Sequence, residues 1–473
     1  MFHFRLGGHI DGQFFLLSNE VNQKTSIFPN KPEESLFQLK RVFMSKISSA
    51  IFSIFFITFP VNCFASQSKL VARASAIKQL TNCTIGSEVF EALDLHEVTC
   101  DEKDYNSLTT SSYVKFLKNA PIAKRAIPND DRFGELWNFV PSPVSADVSA
   151  VKAWNIARGN FSGQEAVVAV IDGGVDIEHE DLADNIWINQ QEIPGNNVDD
   201  DNNGYVDDIN GWNVYRNVGQ IEKDNHGTHV AGIIGAKGNN QIGVTGINWK
   251  TKIMGISGAS GDTITVLKAY NYVLKQKKLY LESNGSKGAN IVATNSSFGI
   301  DYADCNSTEY TLWNDVYEEL GKVGILNVVA TINNEVNVDV EGDVPSGCDS
   351  EYVISVTNTN IDNEKYQFAG FGKKSIDLGA PGTDILSTVP NDGYAFMTGT
   401  SMATPHVAGA IAFLSQLKNE KFNKIQNDDP QRSADILKEI ILNSVDPLLT
   451  LKGRTSSGGK LNLFKSTKML LNY

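Results

Sequence analysis

Beyond residue 160 the chain alternates short unbroken apolar runs with longer stretches of helical period. Ala166–Ile171 is the first such run, followed by Ile253–Ile256, Ile291–Ala293, Ile325–Ala330 and Val353–Val356. Strands apolar on both faces are strands covered on both faces. Between them, Val230–Ala236, Thr263–Lys277 and Glu309–Gly321 read as helices. Regular alternation of the two predicts an α/β fold, a mostly parallel sheet with helices on both faces. The first run ends at Asp172-Gly173-Gly174, which sets a carboxylate on the carboxyl edge, where open α/β sheets place their sites. The pattern contains no internal repeat.

The earlier part of the chain reads differently. Residues 1–43 show no period and read as an extension upstream of the true start. Lys40, Arg41 and Lys46 then flank an apolar run from Ala50 to Phe59, closed by Pro60 and Cys63-Phe64-Ala65. That layout predicts a signal peptide over 44–65 with cleavage after Ala65. The run is shorter than the ~20 residues of a membrane span, so a secreted protein without a stable membrane anchor is expected. An uncleaved anchor is the alternative, because no charge occurs between Ile47 and Ser68. Residues 66–125 form a polar segment that would be a small module of its own, with 126–473 as the main domain. Lys124-Arg125 and Ile127–Asp131 read as an exposed linker.

Composition narrows the function classes. At 41% hydrophobic and 20% charged residues, the chain of 473 is globular and long enough for a large core. A net charge of −14 argues against nucleic acid as a partner. The five cysteines lack metal-ligand spacing. With Cys63 removed, four remain, suited to disulfides in an oxidising compartment. Pairing within segments predicts Cys83–Cys100 and Cys305–Cys348.

Candidate chemistry lies in three stretches. Gly399–Gly409 (GTSMATPHVAG) runs into the apolar Ala410–Leu414, so Ser401 would stand in the first turn of a buried helix, beside amides with no partner. Pro405 is expected in that first turn, where a proline costs little. Asp224–Gly232 (DNHGTHVAG) opens another helix and carries two imidazoles, while Asp172 ends the first strand. Carboxylate, imidazole and hydroxyl are the parts of a nucleophilic triad. Taken singly, each has a plainer reading: turn aspartate, structural histidine and N-cap serine.

Together, Val170–Asp176, Asp224–Gly232 and Gly399–Gly409 resemble the catalytic signatures of the subtilisin-like serine proteases, in that family's order. The resemblance covers roughly Phe133 to Leu463. It implies that Asp172 orients, His226 acts as base then acid, Ser401 attacks, and His229 is structural. Asn333 matches the family's oxyanion asparagine, with Asn334 as the alternative, although Ile332 stands where the family has glycine. Ser297-Phe298-Gly299 resembles the strand that pairs with an extended substrate and walls its first pocket. Ile332 on that wall would either narrow the pocket in favour of small side chains or turn into the core. Asp199, Asp201, Asn203 and Asp207 offer oxygens at alternate positions around Gly204, a pattern suited to calcium, and many subtilases bind calcium in similar loops. A solvated acidic loop is the other reading. No cofactor is implied for catalysis. The resemblance implies a monomeric endopeptidase acting on proteins or peptides, with its own propeptide as intramolecular inhibitor. A catalytically silent binding protein on the same fold is the alternative. An α/β-hydrolase esterase would need G-x-S-x-G and serine first in the chain, and the sequence has neither.

Overall fold

The computed structural model describes residues 68–73, 82–90, 95–101, 103, 106, 116–118, 127–157, 161–259 and 262–473. The signal-peptide, Cys63 and Lys124-Arg125 readings fall outside these residues. Two compact units divide the chain, 1–121 and 122–473. The first holds a four-stranded antiparallel sheet in the order Cys83–Phe90, Leu95–Cys100, Ser68–Arg73, Phe116–Lys118. Cys83 lies opposite Cys100 in that ladder, and the two are bridged across a Cα separation of 4.1 Å.

The second unit is built on a nine-stranded sheet. Its main strands are β1 (Val167–Asp172), β2 (Lys252–Ser257), β3 (Ile291–Ser296), β4 (Leu326–Ala330), β5 (Val353–Thr359) and β6 (Leu378–Pro381). Their order is β6-β5-β4-β3-β1-β2, all parallel. The antiparallel member among the nine is the edge segment Asp446–Pro447. From β1 the chain goes to β2 on one side and returns to β3 on the other. The topological switch therefore lies between β1 and β3, whose carboxyl ends carry Asp172 and Ser297.

Both faces are covered, as the continuous apolar runs require. Val168 and Val170 point into a core shared with helix α1 (Asn225–Gly235) and helix α4 (Thr400–Ser415). Val167, Ala169 and Ile171 point the other way, towards α2 (Thr263–Glu282) and α3 (Leu312–Lys322). Each such Val or Ile contributes about 1.5–3 kcal/mol by leaving water. Every residue of α4 is buried, as suits a helix apolar all round.

Two expectations are corrected. Pro405 does not lie in the first turn of α4, which begins at Thr400, but one turn further in. Its missing N–H leaves the Ser401 carbonyl without the usual partner four residues on, and the Ser297 hydroxyl donates to that carbonyl at 3.0 Å instead. Nor is Ile127–Asp131 an exposed linker. Pro128 and Asp130 are buried, and the Asp130 carboxylate accepts the Asn239 N–H at 2.7 Å, so this stretch is fastened to the domain.

The Cys305–Cys348 bridge spans 43 residues and encloses the loop after β4, with Cα atoms 5.0 Å apart. A closed loop of that length typically contributes about 2–4 kcal/mol. Replacing both cysteines by serine should lower the unfolding free energy by about that amount, read from the urea midpoint; an unchanged midpoint would show that packing alone holds the loop.

Candidate active site

Helix α1 sits against the end of β1 because glycines allow it. A Cβ on Gly227 would overlap the Gly174 carbonyl and come within 2.9 Å of the Asp172 Cβ. Asp224 caps the helix by accepting the Gly227 N–H at 2.9 Å. This close approach brings His226 Nδ1 to 2.9 and 3.1 Å from the two Asp172 oxygens. Burial disfavours a charged imidazole here, but the Asp172 carboxylate, by its charge and its hydrogen bond, outweighs that, and Asp224 adds to it. His226 is therefore held above the ordinary imidazole range.

His229, one turn on, is a different case. It is fully buried, and Nε2 donates to the carbonyls of Ile385 and Ala395 at 2.9 and 3.0 Å. Burial pushes its pKa down to about 4, so it stays neutral and ties α1 to the Ile385–Val389 hairpin.

Ser401 is the second residue of α4, where backbone N–H groups have no intrahelical acceptor. Its hydroxyl donates to the Ser297 carbonyl at 3.3 Å, while the Ser297 hydroxyl donates to the Ser401 carbonyl. The side-chain amide of the buried Asn295 holds the Ser297 hydroxyl at 3.0 Å. Asn333 approaches from the end of β4. Its side-chain oxygen accepts from the Thr400 N–H at 2.9 Å and from the Thr400 hydroxyl at 3.1 Å. Because an N–H can only donate, the oxygen is the atom turned to the helix, and the amide N–H₂ makes no hydrogen bond among the described residues, on a residue that lines the same cavity as Ser401. Asn334 points elsewhere, donating to the Tyr302 hydroxyl at 3.1 Å.

A cavity of about 70 Å³ opens here, and Ser297, Phe298, Gly299, Ile332, Asn333 and Ser401 all contribute to its wall. Ile332 combines the two fates foreseen for it, lining the cavity while packing into the core. It is buried with Val338 and Ile376, and its Cγ2 lies against Gly370. Asp301 and Asp343 also line the cavity, and neither stands out in the sequence. The one available signal was that Asp343 falls between the paired Cys305 and Cys348, in the loop that follows Asn333.

In the acidic loop the expected ligand set is split. Asp199 accepts the N–H groups of Asn203 and Gly204, and Asp207 those of Gly195, Asn196 and Asn197. Asn203 donates its side-chain amide to Asp201 and Asp208. Asp201 instead gathers with Glu192 and Asp208, three buried carboxylates each offering an oxygen within 4.8 Å of the others. Burial raises Glu192 and pushes Asp208 up to about 7.

The sequence profile of the subtilase family matches residues 163–464, a span that includes all of these site residues. The chain belongs to the subtilase family. This subtilase is 31% identical over 403 residues to "Subtilisin-like protease 1" of Plasmodium berghei, a match covering 80% of the chain and 60% of that protein. It is 32% identical over 315 residues to the "Thermophilic serine proteinase" of Bacillus sp. strain AK1, covering 64% of the chain and 65% of that protein. The chain thus spans about 60–65% of the length of these relatives. In fold it is similar to a protease structure from Pseudoalteromonas arctica, with a TM-score of 0.50 at 21% identity, covering 72% of this chain and 99% of that one.

A titration of the His226 ring by NMR should give a pKa above the ordinary ~6.5. Asp172→Asn removes the attraction that overcomes burial, so the value should fall below that mark. An unchanged pKa in the variant would mean that Asp172 does not govern the imidazole.

Proposed function

We propose that this subtilase is a secreted serine endopeptidase, made as a self-processing precursor, working through Asp172, His226 and Ser401. The observation that carries the reading is the His226–Asp172 pair on the switch-point edge that also holds Ser401 and Asn333. With Nδ1–H donated to Asp172, the neutral ring keeps its Nε2 lone pair outward as a base. For attack, the Ser401 hydroxyl leaves the Ser297 carbonyl, to which it donates at 3.3 Å, for that lone pair. The proton passes to Nε2 as Oγ attacks the peptide carbonyl, and Asp172 stabilises the imidazolium. The Asn333 amide and the Ser401 backbone N–H receive the negative oxygen; in subtilisin, losing such a side-chain donor costs about 10²–10³ in turnover. His226 then returns the proton to the leaving amine, and water repeats the sequence to release the acyl group.

The two disulfides fit an oxidising compartment. Among the described residues no helix is long and apolar enough to cross a membrane. The small disulfide-bonded sheet of the first unit fits a propeptide, and the working enzyme is read as a monomer. Calcium is the fitting structural ion, because three buried carboxylates offer oxygens within reach of one cation, whose charge would draw the raised Glu192 and Asp208 into their ionised forms. Glu192, Asp201 and Asp208 would hold it, and the ion would supply charge neutralisation that fixes the loop.

Ser401→Ala should abolish hydrolysis of peptides and accumulate as a precursor that retains the segment up to about residue 125. A peptide-cleavage assay reads the first and intact-mass measurement the second, and normal maturation of the variant would assign processing to another protease. Chelation by EDTA should lower the melting temperature of the wild type and leave Asp208→Asn unaffected, since only a folded-state ligand stabilises by mass action. Equal melting with and without EDTA would remove calcium from the account.

A further inference from the structure

The cavity beside Ser401 carries two carboxylates and, among its lining residues, no basic group. They arrive by a pairing remote in sequence: Ile300–Asp301 forms an antiparallel pair with Asp343–Val344, and Asp301 lies directly opposite Asp343. Like charges in that position repel. Among the described residues neither takes part in an ion pair within 4 Å.

Asp343 is 1% exposed. One oxygen is committed to the fold, accepting the Ile332 N–H at 3.0 Å and the Ser346 hydroxyl at 2.5 Å. The other, Oδ1, is buried and lacks a well-formed hydrogen bond, its one neighbouring donor being the Thr331 hydroxyl, which is near enough to lower the Asp343 pKa. Oδ1 faces the cavity wall at Gly299, where a Cβ would stand 3.3 Å from it and 2.9 Å from the Val344 carbonyl. A side chain at position 299 would crowd both oxygens, so glycine here keeps this wall of the cavity clear. A buried carboxylate oxygen in this state costs free energy until a donor or a cation reaches it.

We propose that this cavity takes the lysine or arginine side chain that precedes the scissile bond, the buried Asp343 and the exposed Asp301 together binding its cation. The inference rests on the peptidase reading, which makes the residue beside Ser401 the one on the acyl side of the cleaved bond. The volume suits it: at 10–15 Å³ for one water, about 70 Å³ holds about five water-sized groups, matching the heavy atoms of a lysine side chain in number. Burial first, and then the Asp301 charge, raise the Asp343 pKa to about 6, so the carboxylate is mostly ionised at neutral pH. A cation entering the cavity relieves both effects.

The test compares kcat/KM for peptides differing only before the cleaved bond, with Arg, Lys, Leu or Phe at that position. Wild type should favour Arg and Lys over Leu by about tenfold or more, as for a hydrogen bond to a charged group. Asp343→Asn should remove most of that preference. Asp301→Asn, on an exposed residue outside the buried network, should weaken it less. Arg and Leu peptides cleaved equally well by wild type, or a ratio unmoved by Asp343→Asn, would overturn the proposal while leaving the peptidase reading intact. Binding to the Ser401→Ala protein is a readout independent of turnover. Calorimetry should give tighter binding for a peptide ending in arginine than for its norleucine counterpart, and equal affinities would overturn the proposal even if no peptide were hydrolysed.

Discussion

The reciprocal hydrogen bonds between Ser297 and Ser401 are the joint on which the site depends. Pro405 withholds the N–H that would satisfy the Ser401 carbonyl, so the helix is incomplete without a donor from outside. The residue that supplies it follows directly on the edge of β3, at the switch point of the sheet. A single hydrogen bond contributes only about 1 kcal/mol net, but a buried carbonyl left without a donor costs about 1–3 kcal/mol. Helix α4 is thereby held in one register on the sheet, and the register fixes Ser401 beside Asn333. Gly227 adds a second constraint of the same kind, since only contact between backbones brings His226 to Asp172.

Charge is distributed unevenly over this frame. Three histidines lie in or near the two helices that meet here, and their surroundings separate them. His229 donates to two carbonyls and His406 donates from Nδ1 to the Met402 carbonyl, and burial keeps both neutral, His406 with a pKa of about 3. His226 alone of these faces a carboxylate pair, Asp172 and Asp224. Elsewhere the carboxylates are in excess: Asp301 with Asp343 in the cavity, and Glu192 with Asp201 and Asp208 in the acidic loop. The buried members of each group, Asp343 in one and Glu192, Asp201 and Asp208 in the other, are of the kind ordinarily paired or bound to a metal, which is why one group reads as a substrate cradle and the other as an ion site.

Much of the frame was legible in sequence because it is local. The run Ala166–Ile171 falls one residue from β1, and the predicted helix from Thr263 runs five residues past Lys277, to Glu282. Asp172, His226 and Ser401 were found through motifs in which each residue sits at the end of its own element. What escaped was made by distant pairing. Asp343 enters the cavity because two residues after Phe298-Gly299 pair with a strand beyond the loop, a contact no period reveals. Glu192 joins Asp201 and Asp208 across a turn, a grouping that the alternate spacing of Asp199, Asp201, Asn203 and Asp207 does not reveal. The linker reading failed because a polar composition does not tell whether a buried acceptor such as Asp130 awaits a donor.

The central claim is that Ser401 is a nucleophile activated by His226. Labelling with a serine-directed phosphonate, followed by intact-mass measurement and peptide mapping, tests it most directly. One adduct per chain is expected, located on Ser401, absent from Ser401→Ala, and forming more slowly as pH falls through the His226 pKa. An adduct on another residue, or none on protein that melts cooperatively, would contradict it.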